Sequence, residues 1–300
     1  MLAAPLFLTT LALAPTGATS WTELTVGGEF DNEVVTVPEQ GTLYSNGGEG
    51  SVGFTLFSHP VFDDDAPPGL QPFLQRLSSL HVSGDFGGYS GLPASGSTIP
   101  SGSGHGGGAG LSGSVYADRF FYASLGLSFD DRTDTRAGVP TPRITIPLGI
   151  SAGPRLGDTL LTIGWSVTPT RIGDAGFQIP FWGNVNLQVL SVLGRALSLH
   201  GEVDLYDGGA GAVAGLAAFI GRRFVVGGFV RGSYEHVFDA MVNDAHAGAG
   251  LQFDVWSGPR LAFELAYTFD WNQYLDQQTG AVTETDYRSL IDLTIRLRPR

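Results

Sequence analysis

The sequence contains no cysteine and no lysine. Without cysteine there is no disulfide framework and no thiolate metal site, a composition compatible with export through an oxidising periplasm. Every one of the 16 basic residues is arginine, and the net charge of -13 leaves too little positive surface for nucleic-acid phosphates. Charged residues make up only 15%, against about 25% in soluble domains. Beyond the N-terminus the chain also lacks an unbroken apolar run of about 18 residues, which excludes a spanning helix there.

What is present instead is glycine and dispersed apolar residues. The 44 glycines in 300 residues are roughly twice the average usage of about 7%. Mean hydropathy is slightly positive, at +0.10. A chain this apolar without a long apolar run must hide its apolar residues in alternation, which is the signature of a membrane β-barrel.

The N-terminus reads as a secretory signal over 1–18. Leu2 to Ala14 is apolar, Pro15 and Gly17 break the run, and Thr16, Gly17 and Ala18 are small enough for cleavage. It lacks a charged n-region, and a short membrane anchor is the rival reading, although the run is too short to span a bilayer. The rest, 19–300, is expected to form one barrel.

From residue 51 onward, strand-length segments alternate with Gly, Pro and Asp punctuation. In 261–271, Leu261, Phe263, Leu265, Tyr267, Phe269 and Trp271 share one face, and Ala262, Glu264, Ala266, Thr268 and Asp270 the other. The same two-faced pattern fits 79–89, 110–118, 120–130, 143–152, 159–170, 184–190, 196–205, 224–234, 247–256 and 289–298. Segment 210–220 is apolar or small on both faces; helix is its rival, and Gly211 and Gly215 favour strand. Connections alternate between short (118–119, 153–158, 191–195, 221–223, 257–260) and long (131–142, 171–183, 206–209, 235–246, 272–288). Outer-membrane barrels have short periplasmic turns and longer outer loops, so both termini are expected in the periplasm. An even strand count then requires a strand before residue 51, supplied by 21–30 or 33–37. The expected fold is an all-β, transmembrane antiparallel up-and-down β-barrel of about 14 strands, with 12 as the alternative. A soluble β-sandwich is the competing architecture, but its outward face would carry more charge.

Segment 63–76 runs Asp63-Asp64-Asp65-Ala66-Pro67-Pro68-Gly69-Leu70-Gln71-Pro72-Phe73-Leu74-Gln75-Arg76. It resembles a stretch of uncharacterised myxobacterial-type outer-membrane β-barrel proteins, in which an acidic run precedes a Pro-x-x-Leu-Gln-Pro-Phe-Leu-Gln-Arg-like segment. The resemblance covers this segment alone and implies an outer-membrane barrel and no chemistry. Asp65 ahead of Pro67 suits a capped helical turn in a periplasmic connection near 58–78. Asp63, Asp64 and Asp65 have the oxygen chemistry for a loop-bound Ca²⁺, with a solvated turn as the plainer reading; no other cofactor is expected. Many outer-membrane barrels end in an aromatic residue read by the barrel-insertion machinery, a partner expected here, whereas this chain ends Leu297-Arg298-Pro299-Arg300.

If the apolar faces meet lipid, the opposite faces line a lumen. They contribute His81, Ser83, Asp85, Tyr89, Ser112, Ser114, Tyr116, Arg143, Asn184, Asn186, Gln188, His200, Glu202, Asp204, Arg231, Asp254, Glu264, Asp270, Asp292 and Arg296. Carboxylates outnumber arginines, so an open lumen would favour cations. Glu264, Asp292 and Arg296 lie on the last two strands, where they can brace the wall as ion pairs or form a selectivity ring. Enzyme chemistry needs a nucleophile and a base. His81, Ser83 and Asp85 share one strand face at the spacing of a His–Ser pair with an acidic orienter, although any His-x-Ser in a strand meets that test. His200, Glu202 and Asp204 also share a face, as a metal or proton site or a lumenal hydrogen-bond cluster. His59, His105, His236 and His246 fall in loops or at strand ends without metal-ligand spacing.

The long loops carry acids: Asp130, Asp131 and Asp134; Glu235, Asp239 and Asp244; Asp276, Glu284 and Asp286. Divalent cations could bridge them to lipopolysaccharide. Arg119, Arg155, Arg195, Arg222, Arg223 and Arg260 sit in the short turns, suited to lipid headgroups, with Phe120, Phe121 and Tyr122 nearby. Phe177, Phe181, Trp182, Phe269, Trp271 and Tyr274 would form the girdle at the other rim. Segment 91–110 is Gly/Ser-rich and reads as a flexible extracellular loop, either a lumenal plug or free in solvent. The functional classes that follow are a porin-like channel for small polar solutes, a closed structural or surface-interaction barrel, and a lipid-acting hydrolase. Outer-membrane lipids are the expected partners.

Overall fold

The computed structural model describes residues 20–297 except 59–77, 118–120, 135–138, 158, 175, 195, 221–222, 238–240 and 258–260. Among the described residues every regular element is a strand. Polar backbone groups crossing a membrane must be paired within the protein, and a closed sheet does this without edges. Fourteen strands follow one another antiparallel: β1 Ser20–Val37, β2 Gly41–Ser58, β3 Ser78–Pro93, β4 Gly102–Ala117 and β5 Phe121–Asp134. β6 has three segments, Val139–Thr145, Leu148–Ala152 and Arg155–Leu156, the last taken from the expected 153–158 turn, and β7 has two, Thr159–Val167 and Thr170–Ile172. The remainder are β8 Asn184–Leu193, β9 Leu197–Tyr206, β10 Gly209–Ile220, β11 Phe224–Val237, β12 Val242–Trp256, β13 Leu261–Asp276 and β14 Val282–Leu297. β14 pairs with β1, from Leu24↔Leu297 to Thr36↔Thr285, and closes the barrel. Pro147 and Pro169 interrupt β6 and β7 because proline cannot donate to the ladder. The two gaps are neighbours, and the Ile146 N–H reaches the Pro169 carbonyl at 3.0 Å.

The faces are inverted relative to a soluble protein. On β13, Phe263, Leu265, Tyr267 and Phe269 are 40–48% exposed, whereas Ala262 and Asp270 on the opposite face are buried. Among the described residues, buried polar ones (Glu23, Gln252, Asp254 and Asp286 among them) outnumber the buried apolar Leu43, Val192, Ala217 and Ala262. An apolar exterior around a polar interior is a transmembrane barrel, and it disposes of the β-sandwich. Leu265 pairs with Leu293, and both face outward near mid-height. Leu265→Arg is therefore expected to destabilise the barrel by about 2–4 kcal/mol, read from the urea midpoint of protein folded into vesicles.

Several expected boundaries are corrected. Segments 21–30 and 33–37 are parts of one strand, β1, because its polar Asp31 and Asn32 keep their ladder pairing with Leu290 and Ser289. Segment 210–220 is strand β10. Of the expected loop 91–110, residues 91–93 belong to β3 and 102–110 to β4. The remaining connection packs on the β1–β2 turn, with the Thr98 N–H on the Gln40 carbonyl at 2.7 Å and the Ala94 N–H on that of Thr42 at 2.8 Å. The acids read as loop residues lie largely on strands: Asp130, Asp131 and Asp134 on β5, Glu235 on β11, Asp244 on β12, Asp276 on β13, and Glu284 and Asp286 on β14. Strand pairing is a backbone property, so polar side chains did not end it. Tyr274 shares the inward face of Asp270 instead of joining an outward girdle. The signal segment, Asp63, Asp64, Asp65, the 58–78 connection (apart from its end residues) and Arg119, Arg195, Arg222 and Arg260 lie outside the described residues.

Following partners round the barrel from Trp21 leads to Glu284, beside the Thr285–Thr36 pair. The circuit thus closes with a stagger of about 16 residues along β1. With fourteen strands about 4.8 Å apart, that stagger implies a tilt near 40° and a backbone radius of about 13–14 Å.

Candidate functional site

The lumen is built from the inward face of every strand, and its side chains meet according to register. At the end that carries the chain termini, Arg296 on β14 reaches across to Glu264 on β13 (Nη2–Oε2 2.6 Å) and lies 3.8 Å from Glu23 on β1. Gln252 on β12 extends the group, donating its amide to Glu264 at 3.1 Å and to Asp254 at 3.0 Å. Asp254 is only 1% exposed. Asp292 accepts from Thr294 at 2.9 Å.

Nearer the far end, Arg231 on β11 forms a two-pronged pair with Asp270 on β13, Nε–Oδ1 at 3.0 Å and Nη2–Oδ2 at 2.5 Å. His246 on β12 donates to the same Asp270 Oδ1 at 2.9 Å. The pair spans the intervening strand because Gly248 is the residue there, paired with Arg231 on one side and Asp270 on the other. A Cβ on Gly248 would sit 2.1 Å from Asp270 Oδ1. Gly250 likewise leaves room for the Phe229 ring, which fills the place of its Cβ at 2.2 Å and lies under the Arg231 guanidinium at 5.9 Å. Across β14 and β1, Arg288 binds Asp31 at 2.8 Å and approaches Glu29 at 3.7 Å.

The opposite side of the lumen is held by amides. Glu202 on β9 accepts from Asn186 at 3.2 Å and Gln188 at 2.9 Å on β8, and Asp204 accepts from Asn184 at 3.2 Å. His200 stands 3.7 Å from Glu202. Glu202 and Asp204 thus belong to a hydrogen-bonded ladder with His200 beside it, and no group of acids and histidines among the described residues has the makings of a metal site. The wall from β2 to β6 carries short hydroxyls, with Ser79 on Ser114 at 2.8 Å and Ser128 on Thr145.

His81, Ser83 and Asp85 share the inward face of β3, with Leu80 and Val82 exposed on the other. The His81 ring, however, bonds Nδ1 to the hydroxyl of Thr55 on β2 at 2.7 Å. Histidine is thereby engaged with a neighbouring strand.

The ordering of the lumen could not be read from the chain alone. Glu23, Glu29, Asp31, Glu33 and Glu49 line it from β1 and β2, for which the sequence offers only the candidate segments 21–30 and 33–37 and the stretch from residue 51. His246, Asp244, Asp286 and Arg288 line it from stretches taken for loops. The signal was a period of two continuing through polar residues. The surplus of acceptors is visible in individual atoms: Asp31 Oδ1, Asn184 Oδ1, Asn186 Oδ1, Asp244 Oδ1 and Asp286 Oδ1 are buried without a donor, against Arg296 Nε as the one such donor among the described residues.

No protein-family model matches the chain, and no curated protein does. Solved structures are similar to it at low identity. A mutant of the monoaromatic hydrocarbon channel TodX is 10% identical over 96% of this chain and 92% of its own, with a TM-score of 0.56. The outer membrane protein Omp33 of Acinetobacter baumannii is 13% identical over 94% and 99% of the two chains, with a TM-score of 0.44. An outer membrane channel from Pseudomonas putida F1 is 10% identical over 97% and 98%, with a TM-score of 0.46. The architecture is that of outer-membrane barrels.

Proposed function

We propose that this protein is a passive outer-membrane channel for small polar solutes with a weak preference for cations. The observation that carries this reading is the width of the barrel. Side chains fill the interior of an eight-stranded barrel, whereas wider barrels leave an aqueous lumen. A backbone diameter of about 27 Å exceeds the roughly 12 Å that two opposing side chains of about 6 Å can close. The two longest described connections, 94–101 and 173–183, are held at the rim by Gln40 and Thr42 and by Thr170 and Asp207 respectively. Cation preference rests on the excess of lumenal carboxylates over arginines and on the orphan acceptor oxygens, which make the interior potential negative. Termini in the periplasm suit the strands that overrun with outward Asn32, Asn46 and Ser90 at the opposite end. On this reading outer-membrane lipid and lipopolysaccharide surround the wall.

Liposome swelling tests the channel. Vesicles holding the protein should swell in pentose solutions quickly, and progressively more slowly as the sugar grows from mono- to trisaccharide. Absence of swelling in every solute would replace the channel with a closed scaffold braced by its own ion pairs.

A further inference from the structure

The wall is not of even height. β8 and β9 have 10 residues each, whereas β1 and β2 have 18. Ten residues tilted near 40° rise about 25 Å, which equals the apolar band of about 25 Å on a membrane barrel. The far rim of β8 therefore lies at the bilayer surface, and the segment that enters it, 176–182, starts from that level. Phe177, Ile179 and Phe181 are 45, 68 and 95% exposed. On β8, which follows the segment, Leu187 and Val189 are likewise exposed, at 51 and 37%, on the face already turned to lipid.

This segment is tied down by its backbone. Gln178 exchanges both hydrogen bonds with Thr170, at 2.7 and 2.9 Å, so it runs beside the far part of β7. The Trp182 N–H binds the Asp207 carboxylate at 3.2 Å, and its carbonyl accepts from the Trp165 indole at 2.7 Å. The hydrogen bonds face the protein and the large apolar side chains face away. Left in water, these side chains keep apolar surface unburied, which the hydrophobic effect disfavours. Aromatic rings settle at the bilayer–water interface for this reason.

We propose that residues 176–182 form a foot that rests in the interfacial layer of the bilayer, with Phe177, Ile179 and Phe181 inserted among lipids beside the low rim. The occupant of this apolar edge is the lipid surface, because the edge continues the lipid-facing wall at the height where hydrocarbon ends. The foot pins the low side of the mouth to the membrane while the β1–β5 side stands above it. This inference rests on the membrane placement proposed above.

The absence of cysteine makes the test direct. Phe181→Cys, carrying an NBD fluorophore, is folded into phosphatidylcholine vesicles containing a lipid spin-labelled near its headgroup. Folding is checked by heat-modifiable gel mobility. Its emission should be quenched strongly by the spin-labelled lipid and little by aqueous iodide. Ser95→Cys, on the exposed 94–101 connection, should show the reverse, and Leu187→Cys in the wall should be quenched by lipid alone. Quenching at 181 by iodide only, with Leu187→Cys still quenched by lipid, overturns the foot and leaves the barrel's placement intact. Loss of lipid quenching at both 181 and 187 overturns the placement itself. A label at 181 shielded from both quenchers means that a protein partner covers the edge, which also overturns the proposal.

Discussion

Gly248→Val is expected to lower the stability of the barrel by about 3 kcal/mol, at the lower end of the range for breaking a buried ion pair. The new Cβ would lie 2.1 Å from Asp270 Oδ1 and 3.0 Å from Arg231 Nε. Moving the Asp270 carboxylate is sterically easy, but it severs both prongs of the Arg231 pair and the His246 hydrogen bond. Arg231 and Asp270 are 18% and 12% exposed, so lumenal water replaces those partners only in part. Gly201→Val provides the contrast, since nothing lies within 4 Å of the position its Cβ would take. Urea titration of both variants in detergent micelles should show a large midpoint shift for the first and almost none for the second. Equal shifts would mean that Gly248 matters through backbone conformation alone.

Removal of Arg296 should have the second large effect. Its guanidinium is the cation between Glu264 at 2.6 Å and Glu23 at 3.8 Å, with Asp254 joined through Gln252. Arg296→Gln leaves these carboxylates facing one another, and a loss of about 3–5 kcal/mol is expected. Arg296→Gln/Glu264→Gln should recover part of that loss, because a neutral pair leaves no uncompensated charge. The single variant should also pass cations more selectively than the parent. A stability unchanged by Arg296→Gln would show that the cluster is solvated and its pairing incidental.

Much of this architecture follows from period-two patterning. On β13 and β14, apolar residues two apart bracket Glu264, Asp270, Asp292 and Arg296, so their shared inward face is legible in the chain. Polar interruptions misled in the other direction. Asp31-Asn32-Glu33 and the acids around Glu235, Asp244 and Asp286 resemble loops, yet the ladder continues through them because its hydrogen bonds belong to the backbone. Cross-strand partners were the least accessible. Arg231, Gly248 and Asp270 are far apart in sequence, and only the register of β12 between β11 and β13 brings them into line. His81 shows the same limit, since its neighbour in sequence, Ser83, is not its partner, while Thr55 on β2 is.

The measurement closest to the central claim is single-channel recording in a planar bilayer under a salt gradient. The wide, carboxylate-rich lumen predicts discrete conductance steps and a reversal potential displaced toward the cation equilibrium, with the displacement shrinking at high salt as the lumenal charge is screened. Silent membranes, with the protein shown to be folded and inserted, would contradict the open lumen. Steps with an anion-selective reversal potential would contradict its negative interior.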